Sequence, residues 1–321
     1  MKYGSVKGVG KPISRLVLGT MIISLNEREK SFKLMDDVFE LGCTTLDTAH
    51  VYGSEKAIGE WMKERNNRDK VVVLTKGAHH TDRKRVTPVD ITADLNESLN
   101  RLQTDYIDIY LLHRDDPDVD VGPIVEILNE HNKSGKIKAF GGSNWRHERI
   151  QQANEYAEKH GLIPFNASSP NFGLAEQVED PWGPGCVSIS GPQETEAREW
   201  YIKTQIPIFA YSSLGRGFFS GRITRENFES IKDKIDGACL KAYCHEVNFN
   251  RLDRVQILAK EKGLTVPQIA TAFIMSQPLN VFALIGSANK AEFKANLDAL
   301  DIILTPEEVA WLDLRSDKRS E

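Results

Sequence analysis

The chain has only four cysteines in 321 residues, Cys43, Cys186, Cys239 and Cys244, with neither CxxC spacing nor the density of a disulfide scaffold. Free thiols in a reducing compartment are the expected state. Nowhere does an apolar run reach the roughly 20 residues needed to span a bilayer, and the opening MKYGSVKGVGKPISRLVLG holds no continuous apolar segment. A cytoplasmic location without membrane association is therefore expected. A basic excess is also missing: 41 Lys and Arg stand against 46 Asp and Glu, a formal charge of -5, with both signs interspersed. That balance argues against a nucleic-acid partner. No GxGxxG follows the first strand candidate, which argues against a Rossmann dinucleotide domain. His79, His80 and Asp82 form a loose cluster of ligand types, but adjacent histidines point different ways in most backbones, and no metal is assigned.

What is present is an ordinary globular composition, 40% hydrophobic and 27% charged, able to build a sizeable core. After a hairpin-like start broken by Gly8 and Gly10, strand-like and helix-like runs alternate to the end. The strand candidates are eight: 15–19, 44–48, 70–75, 106–113, 136–143, 162–168, 206–212 and 280–287. Between them, SFKLMDDVFELG carries one broad apolar face ended by Gly42, and PVDITADLNESLNRL opens on Pro88, suited to a first helical turn. Further helices are expected around 147–160, 193–204, 249–262 and 266–276, and over 305–315 with Thr305 as N-cap. The pattern predicts a single α/β domain over 1–321: a (β/α)₈ TIM barrel with an N-terminal hairpin cap. Two connections, 169–192 and 213–248, are too long for plain loops. Both follow strand C-termini, on the face where barrel enzymes keep their sites.

Four ionisable residues stand where apolar runs stop: Asp47 and Tyr52 in LDTAHVYGSE, Lys76 in VVVLTKG and His113 in DYIDIYLLHRD. Singly, each has a structural reading, as a turn cap, a solvated strand end or a satisfied buried polar group. Together, on parallel neighbouring strands, they would converge into a proton-transfer site.

These residues resemble the aldo-keto reductase family across nearly the whole chain. The resemblance rests on LGTM at 18–21, LDTAHVYGSE at 46–55, LTKG at 74–77, LLHRD at 111–115, GGSN at 141–144, AYSSLGRGFFSG at 210–221 and IGSANKAEFKANL at 285–297. It implies nicotinamide-dependent reduction of an aldehyde or ketone. Tyr52 would then supply the proton, Lys76 would favour its phenolate form, Asp47 would position Lys76, and His113 would hydrogen-bond the substrate oxygen.

The same resemblance implies a cofactor site. Gly19, which ends the first strand candidate, and Thr20 and Met21 after it are part of that site. Ser143 and Asn144 would meet the carboxamide, with Ser169 where relatives often have glutamine. Tyr211 would lie beneath the nicotinamide. Ser212, Leu214, Gly215 and Gly217 form a small-residue loop for the pyrophosphate. Gly286, Ser287, Asn289, Lys290 and Asn296 match an adenosine-binding segment. Many relatives carry an arginine there for a 2′-phosphate; this chain has Ala288 and Glu292, with Lys290 the nearby cation. NADP(H) is the first expectation and NAD(H) the alternative. Substrate walls are expected from Ile23, His79, Trp145 and Trp182, and the polar neighbours His80, Asp115 and Asp116 lean toward a sugar-like or polyol-derived carbonyl compound or alcohol. Competing readings are a nucleotide-sensing regulatory subunit, against which the lack of an N-terminal docking arm weighs, and a redox-dependent sugar epimerase. Oligomeric state is left open.

Overall fold

The computed structural model describes residues 1–319. Its first two strands, β1 (Tyr3–Gly4) and β2 (Ile13–Ser14), pair antiparallel, Tyr3 opposite Ser14. The other eight are β3 (Leu16–Gly19), β4 (Thr45–Asp47), β5 (Val72–Gly77), β6 (Ile107–Leu112), β7 (Ile137–Ser143), β8 (Ala167–Ser169), β9 (Ile208–Ala210) and β10 (Val281–Ile285). They close, all parallel, in the order β10-β3-β4-β5-β6-β7-β8-β9. This is the expected (β/α)₈ barrel with its hairpin cap.

Parallel strands covered on both sides must be apolar on both sides, and the core divides accordingly. Inside, Val17, Val72, Leu74, Ile109, Leu111 and Phe282 meet Val6, Val9 and Ile13 of the hairpin, which plugs the N-terminal end. Outside, Leu46, Val73, Tyr110, Phe140 and Ile208 face the helix layer. The helix over Pro88–Leu102 starts where the sequence predicts, because Thr87 accepts from Asp90 N and Pro88 needs no hydrogen bond at that position. Thr305 and Glu308 form a capping box that opens Pro306–Leu312. At Gly141 an added Cβ would lie 1.7 Å from Ala167 O, so only glycine lets β7 and β8 approach there.

The sixth barrel strand is shorter than its apolar run. The prediction covered 162–168; the strand is Ala167–Ser169. Pro164 has no N–H, Ile163 N donates to Asn129 Oδ1 and Phe165 N to Asn154 Oδ1, both at 2.8 Å. Amides spent on helix side chains cannot join a ladder. Of the long connections, 213–248 contains the short helices Phe228–Ile231 and Gly237–Tyr243, whereas 169–192 is tied down by bridges from Asn171 to Ser188 and Tyr211. Among the described residues no helix is long and apolar enough to cross a membrane.

Candidate active site

Barrel register decides which side chains meet. Gly19 lies opposite Asp47 and Lys76 opposite Leu111, while His113 N donates to Gly77 O at 2.7 Å. Strand ends β3 to β6 therefore bring Asp47, Lys76 and His113 to one mouth, and the turn after β4 adds Tyr52. Lys76 Nζ donates to Asp47 Oδ1 at 2.5 Å and to Thr48 O at 3.0 Å, and stands 5.3 Å from the centroid of the Tyr52 ring. The Tyr52 and His113 rings meet edge-on at 5.6 Å, and His79 meets His113 edge-on at 4.8 Å. Beneath them Thr20 Oγ1 donates to Asp47 O, and Ser54 Oγ bridges Thr20 and Thr48 at 2.9 and 2.7 Å, which fixes the end of β4.

Burial and charge set the protonation states. Burial alone would lower the Lys76 pKa, but Asp47 and Tyr52 hold it above its ordinary value, so the ammonium persists. Burial raises Tyr52; Lys76 pulls it down and Asp47 pushes it up, and the net direction is upward. The expected pull of Lys76 is thus present but outweighed, and the phenol keeps its proton. Burial, then Lys76 and His79, drive His113 well below its ordinary value, leaving a neutral ring. Its Nδ1 is sealed without a partner, so the N–H belongs on Nε2, where an incoming oxygen can accept it.

This predicts acid sensitivity. His113, and after it His79 and His80, are held in the folded chain below the ordinary histidine value of about 6.5, so the unfolded chain takes up protons that the folded chain refuses. Stability present above about pH 6.5 is lost as pH falls from there toward the lowered folded values. Melting temperature measured from pH 8 to 5 should drop fastest below that point, and less steeply in His113→Gln. An unchanged slope in the variant would place the sensitivity elsewhere.

The remaining site residues divide. Ser143 Oγ donates to Ser169 O, and Ser169 Oγ to Phe209 O, so each hydroxyl is aimed by the barrel and keeps acceptor capacity. Asn144 differs from the expectation of a ready carboxamide ligand. Its Nδ2 donates to His113 O and Ser143 Oγ, and its Oδ1 accepts from Val187 N at 3.0 Å and Tyr211 OH at 2.8 Å. Those partners use its whole capacity. Ile23 and Trp145, expected as substrate walls, are buried in the layer between barrel and helices. The reason at Trp145 is Asn144, whose φ of 57° turns the chain outward, where the indole donates to Arg114 O. His79 does reach His113, and Trp182 lies 5.9 Å from the Tyr211 ring. Met21 is exposed.

Two arginines escaped the sequence reading. Both Arg114 and Arg216 act electrostatically on Tyr52. Both lie inside the motifs themselves, since Arg114 follows His113 in LLHRD and Arg216 sits inside SLGRG.

A phenol whose ring faces a buried ammonium and a neutral imidazole, at the C-terminal mouth of a closed parallel barrel, is a site for proton donation to an oxygen that gains charge. A family model described as "Aldo/keto reductase family" matches residues 15–315. The chain belongs to the aldo/keto reductase family. It is 29% identical to Aldo-keto reductase YhdN of Bacillus subtilis, an alignment covering 92% of this chain and 87% of the relative. It is 27% identical to norsolorinic acid reductase of Aspergillus flavus, over 95% and 78% of the two chains. It is also 27% identical to putative aryl-alcohol dehydrogenase AAD14 of Saccharomyces cerevisiae, over 96% and 84%. Aldo/keto reductases are oxidoreductases that use nicotinamide cofactors.

In this aldo/keto reductase the far end of the site fits a nucleotide. Ser287 Oγ is sealed without a partner, and nothing lies within 4 Å of where a Cβ would sit on Gly286. Ser212, Gly215 and Gly217 all have positive φ, in a loop tight enough to turn backbone amides toward a phosphate. Gly215 N and Gly217 N are used within that loop, on Ser212 O and Leu214 O. Asn289 caps the helix Lys290–Asp298 by accepting from Glu292 N, and Asn296 is buried against Thr271. Lys290, expected as the phosphate cation, instead pairs with Glu40 at 2.7 Å and Asp37 at 3.8 Å. Glu292 Oε2 meanwhile accepts from Ala288 N at 2.9 Å.

Proposed function

We propose that this aldo/keto reductase interconverts an aldehyde or ketone with the corresponding alcohol, and that Tyr52 gives and recovers the proton. The observation that carries the reading is the half-buried Tyr52 set against buried His113 and the buried Lys76–Asp47 pair, described above. When bound, the nicotinamide supplies the hydride that reaches the carbonyl carbon. Tyr52, held protonated by burial, donates to the oxygen as charge develops there, and Lys76 stabilises the phenolate left behind. His113 Nε2 orients that oxygen from a second side. Asp47 keeps Lys76 charged and directed. Ser143, Ser169, Tyr211, the Ser212–Gly217 loop and the Gly286–Asn296 segment hold the cofactor. The relatives named as reductase and as dehydrogenase support chemistry in either direction.

The family resemblance makes NADP(H) the first choice of cofactor. A specific observation favours NAD(H) as well: Lys290 is engaged by Glu40, and the Glu292 carboxylate, a negative charge in the same segment, occupies the Ala288 amide. Titrating NADPH and NADH by nicotinamide fluorescence should give dissociation constants within about tenfold of each other, a gap of roughly 1.4 kcal/mol. Lys290→Ala should change both by less than that. A hundredfold preference for NADPH that vanishes in Lys290→Ala would restore Lys290 as the phosphate ligand, and binding of neither would overturn the oxidoreductase reading.

A further inference from the structure

The sharpest unexplained feature near the site is a buried cation with no counter-charge. Arg114 is 7% exposed. Its Nη1 donates to Gly185 O at 2.8 Å and meets Cys186 Sγ at 3.3 Å. Among the described residues Nε and Nη2 donate to nothing, yet neither is a sealed polar atom. The two acids that follow in sequence are spent elsewhere: Asp115 pairs with Arg149 at 3.3 Å and Asp116 with Lys84 at 2.5 Å. Among the described residues no carboxylate lies within ion-pair distance of Arg114. The other fully buried arginine among the described residues, Arg251, does have acids, Glu176 and Asp313, and half-buried Arg216 has Asp236, whereas half-buried Arg15 and Arg198 have their guanidinium donors on neutral oxygens.

Leaving an arginine desolvated and unpaired is costly, and proteins normally supply the partner. We propose that the carbonyl substrate carries a carboxylate, which Arg114 receives through its free Nε and Nη2 edge while the carbonyl oxygen lies between Tyr52 and His113. This rests on the oxidoreductase reading and deepens it.

The geometry suits that class. Arg114 directly follows His113 at the end of β6, so the group that would orient the oxygen and the group that would read the charge share one backbone turn. One guanidinium edge offers two parallel donors, the number that a carboxylate accepts in a forked pair. Arg114 is also a neighbour of His79, His80 and His113 in charge, since after burial it is among the influences that lower all three. A substrate anion beside it offsets that field at the moment of binding. The loop carrying Gly185 and Cys186 is held by Nη1, on the other side of the same guanidinium. The polar, sugar-like preference then narrows to sugar acids and other carbonyl acids.

The test compares matched aldehydes that differ only in charge: 3- and 4-carboxybenzaldehyde against 3- and 4-formylbenzamide, followed by cofactor consumption. In the wild type, kcat/KM for at least one acid should exceed its amide by about ten- to a hundredfold, the range for a charged hydrogen bond. In Arg114→Gln that ratio should collapse toward one through a raised KM for the acid, and Arg114→Lys should recover part of it. Equal turnover of acid and amide by the wild type overturns the proposal. So does an equal fall of both in Arg114→Gln, which would make Arg114 only a pin for the 185–186 loop. A second arm measures tryptophan quenching by terephthalate and by terephthalamide, without turnover. Terephthalate binding lost in Arg114→Gln supports the anion site even if no aldehyde is reduced, in which case the oxidoreductase reading alone fails. Equal binding of both probes removes the anion site and leaves that reading intact.

Discussion

Tyr52→Phe should lower kcat for carbonyl reduction by about 10²- to 10⁴-fold, the usual contribution of a positioned general acid, while leaving the dissociation constants of NADPH and NADH unchanged. The substitution removes one oxygen and little else. Tyr52 contributes its ring to His113 at 5.6 Å and to Lys76 at 5.3 Å, and a phenylalanine keeps both contacts. Among the described residues its hydroxyl has no hydrogen-bond partner, unlike those of Ser143, Ser169 and Tyr211. Folding therefore has no stake in it, and the melting temperature should move by no more than a few degrees, the shift for about 1 kcal/mol or less. Stopped-flow reduction at saturating substrate checks the rate and fluorescence titration checks the cofactor. A loss of less than tenfold would move the proton to another donor, and His113 would be the first to examine. A loss accompanied by weakened cofactor binding would instead make Tyr52 a binding group.

Much of this site was legible because barrel strands are buried on both faces. Such strands read as apolar runs, and an ionisable residue that ends one stands out against it, as Asp47, Lys76 and His113 do. The helix Pro88–Leu102 was legible for a local reason as well, since Thr87 and Pro88 mark its start in sequence. What failed to show had non-local causes. Whether Trp145 enters the mouth or the outer layer depends on the positive φ of Asn144, which in turn depends on contacts with Val187 and Tyr211 across the barrel. Lys290 looked like a free cation in sequence. Its partner Glu40 is 250 residues earlier, and only the pairing of β10 with β3 brings the two helices together. Arg114 was visible as a residue but not as an unpaired charge, because that is a statement about every acid in the fold. The sixth strand was lengthened by its apolar run, and the structure shows its amides taken by Asn129 and Asn154.

Lys76→Met should be the most destabilising single change in the site. The Lys76 and Asp47 side chains are 2% and 5% exposed, and removing one partner of a buried pair typically costs about 3–5 kcal/mol. Against a total stability of about 5–15 kcal/mol for a folded domain, that is a large share. The cost has a definite pH dependence. Burial already pushes the Asp47 pKa above its ordinary value, and Lys76 is the influence pulling it down. Without Lys76 the folded value rises further above the unfolded value of about 3.9. A carboxyl of that kind is proton-bound in the folded chain at pH values where the unfolded chain has released its proton. The variant is therefore closest to the wild type at low pH, and the deficit grows as pH rises from the wild type's own raised folded value through the variant's higher one. Urea unfolding at pH 5 and pH 8 should show the larger gap at pH 8. Asp47→Asn combined with Lys76→Met replaces the pair by two neutral groups and should recover most of the loss at pH 8, although Thr48 O still lacks its donor. If the double variant is no more stable than Lys76→Met, the deficit comes from packing and not from a stranded charge. Activity should stay low in both, because Tyr52 loses the ammonium that makes its proton available whether or not the fold recovers.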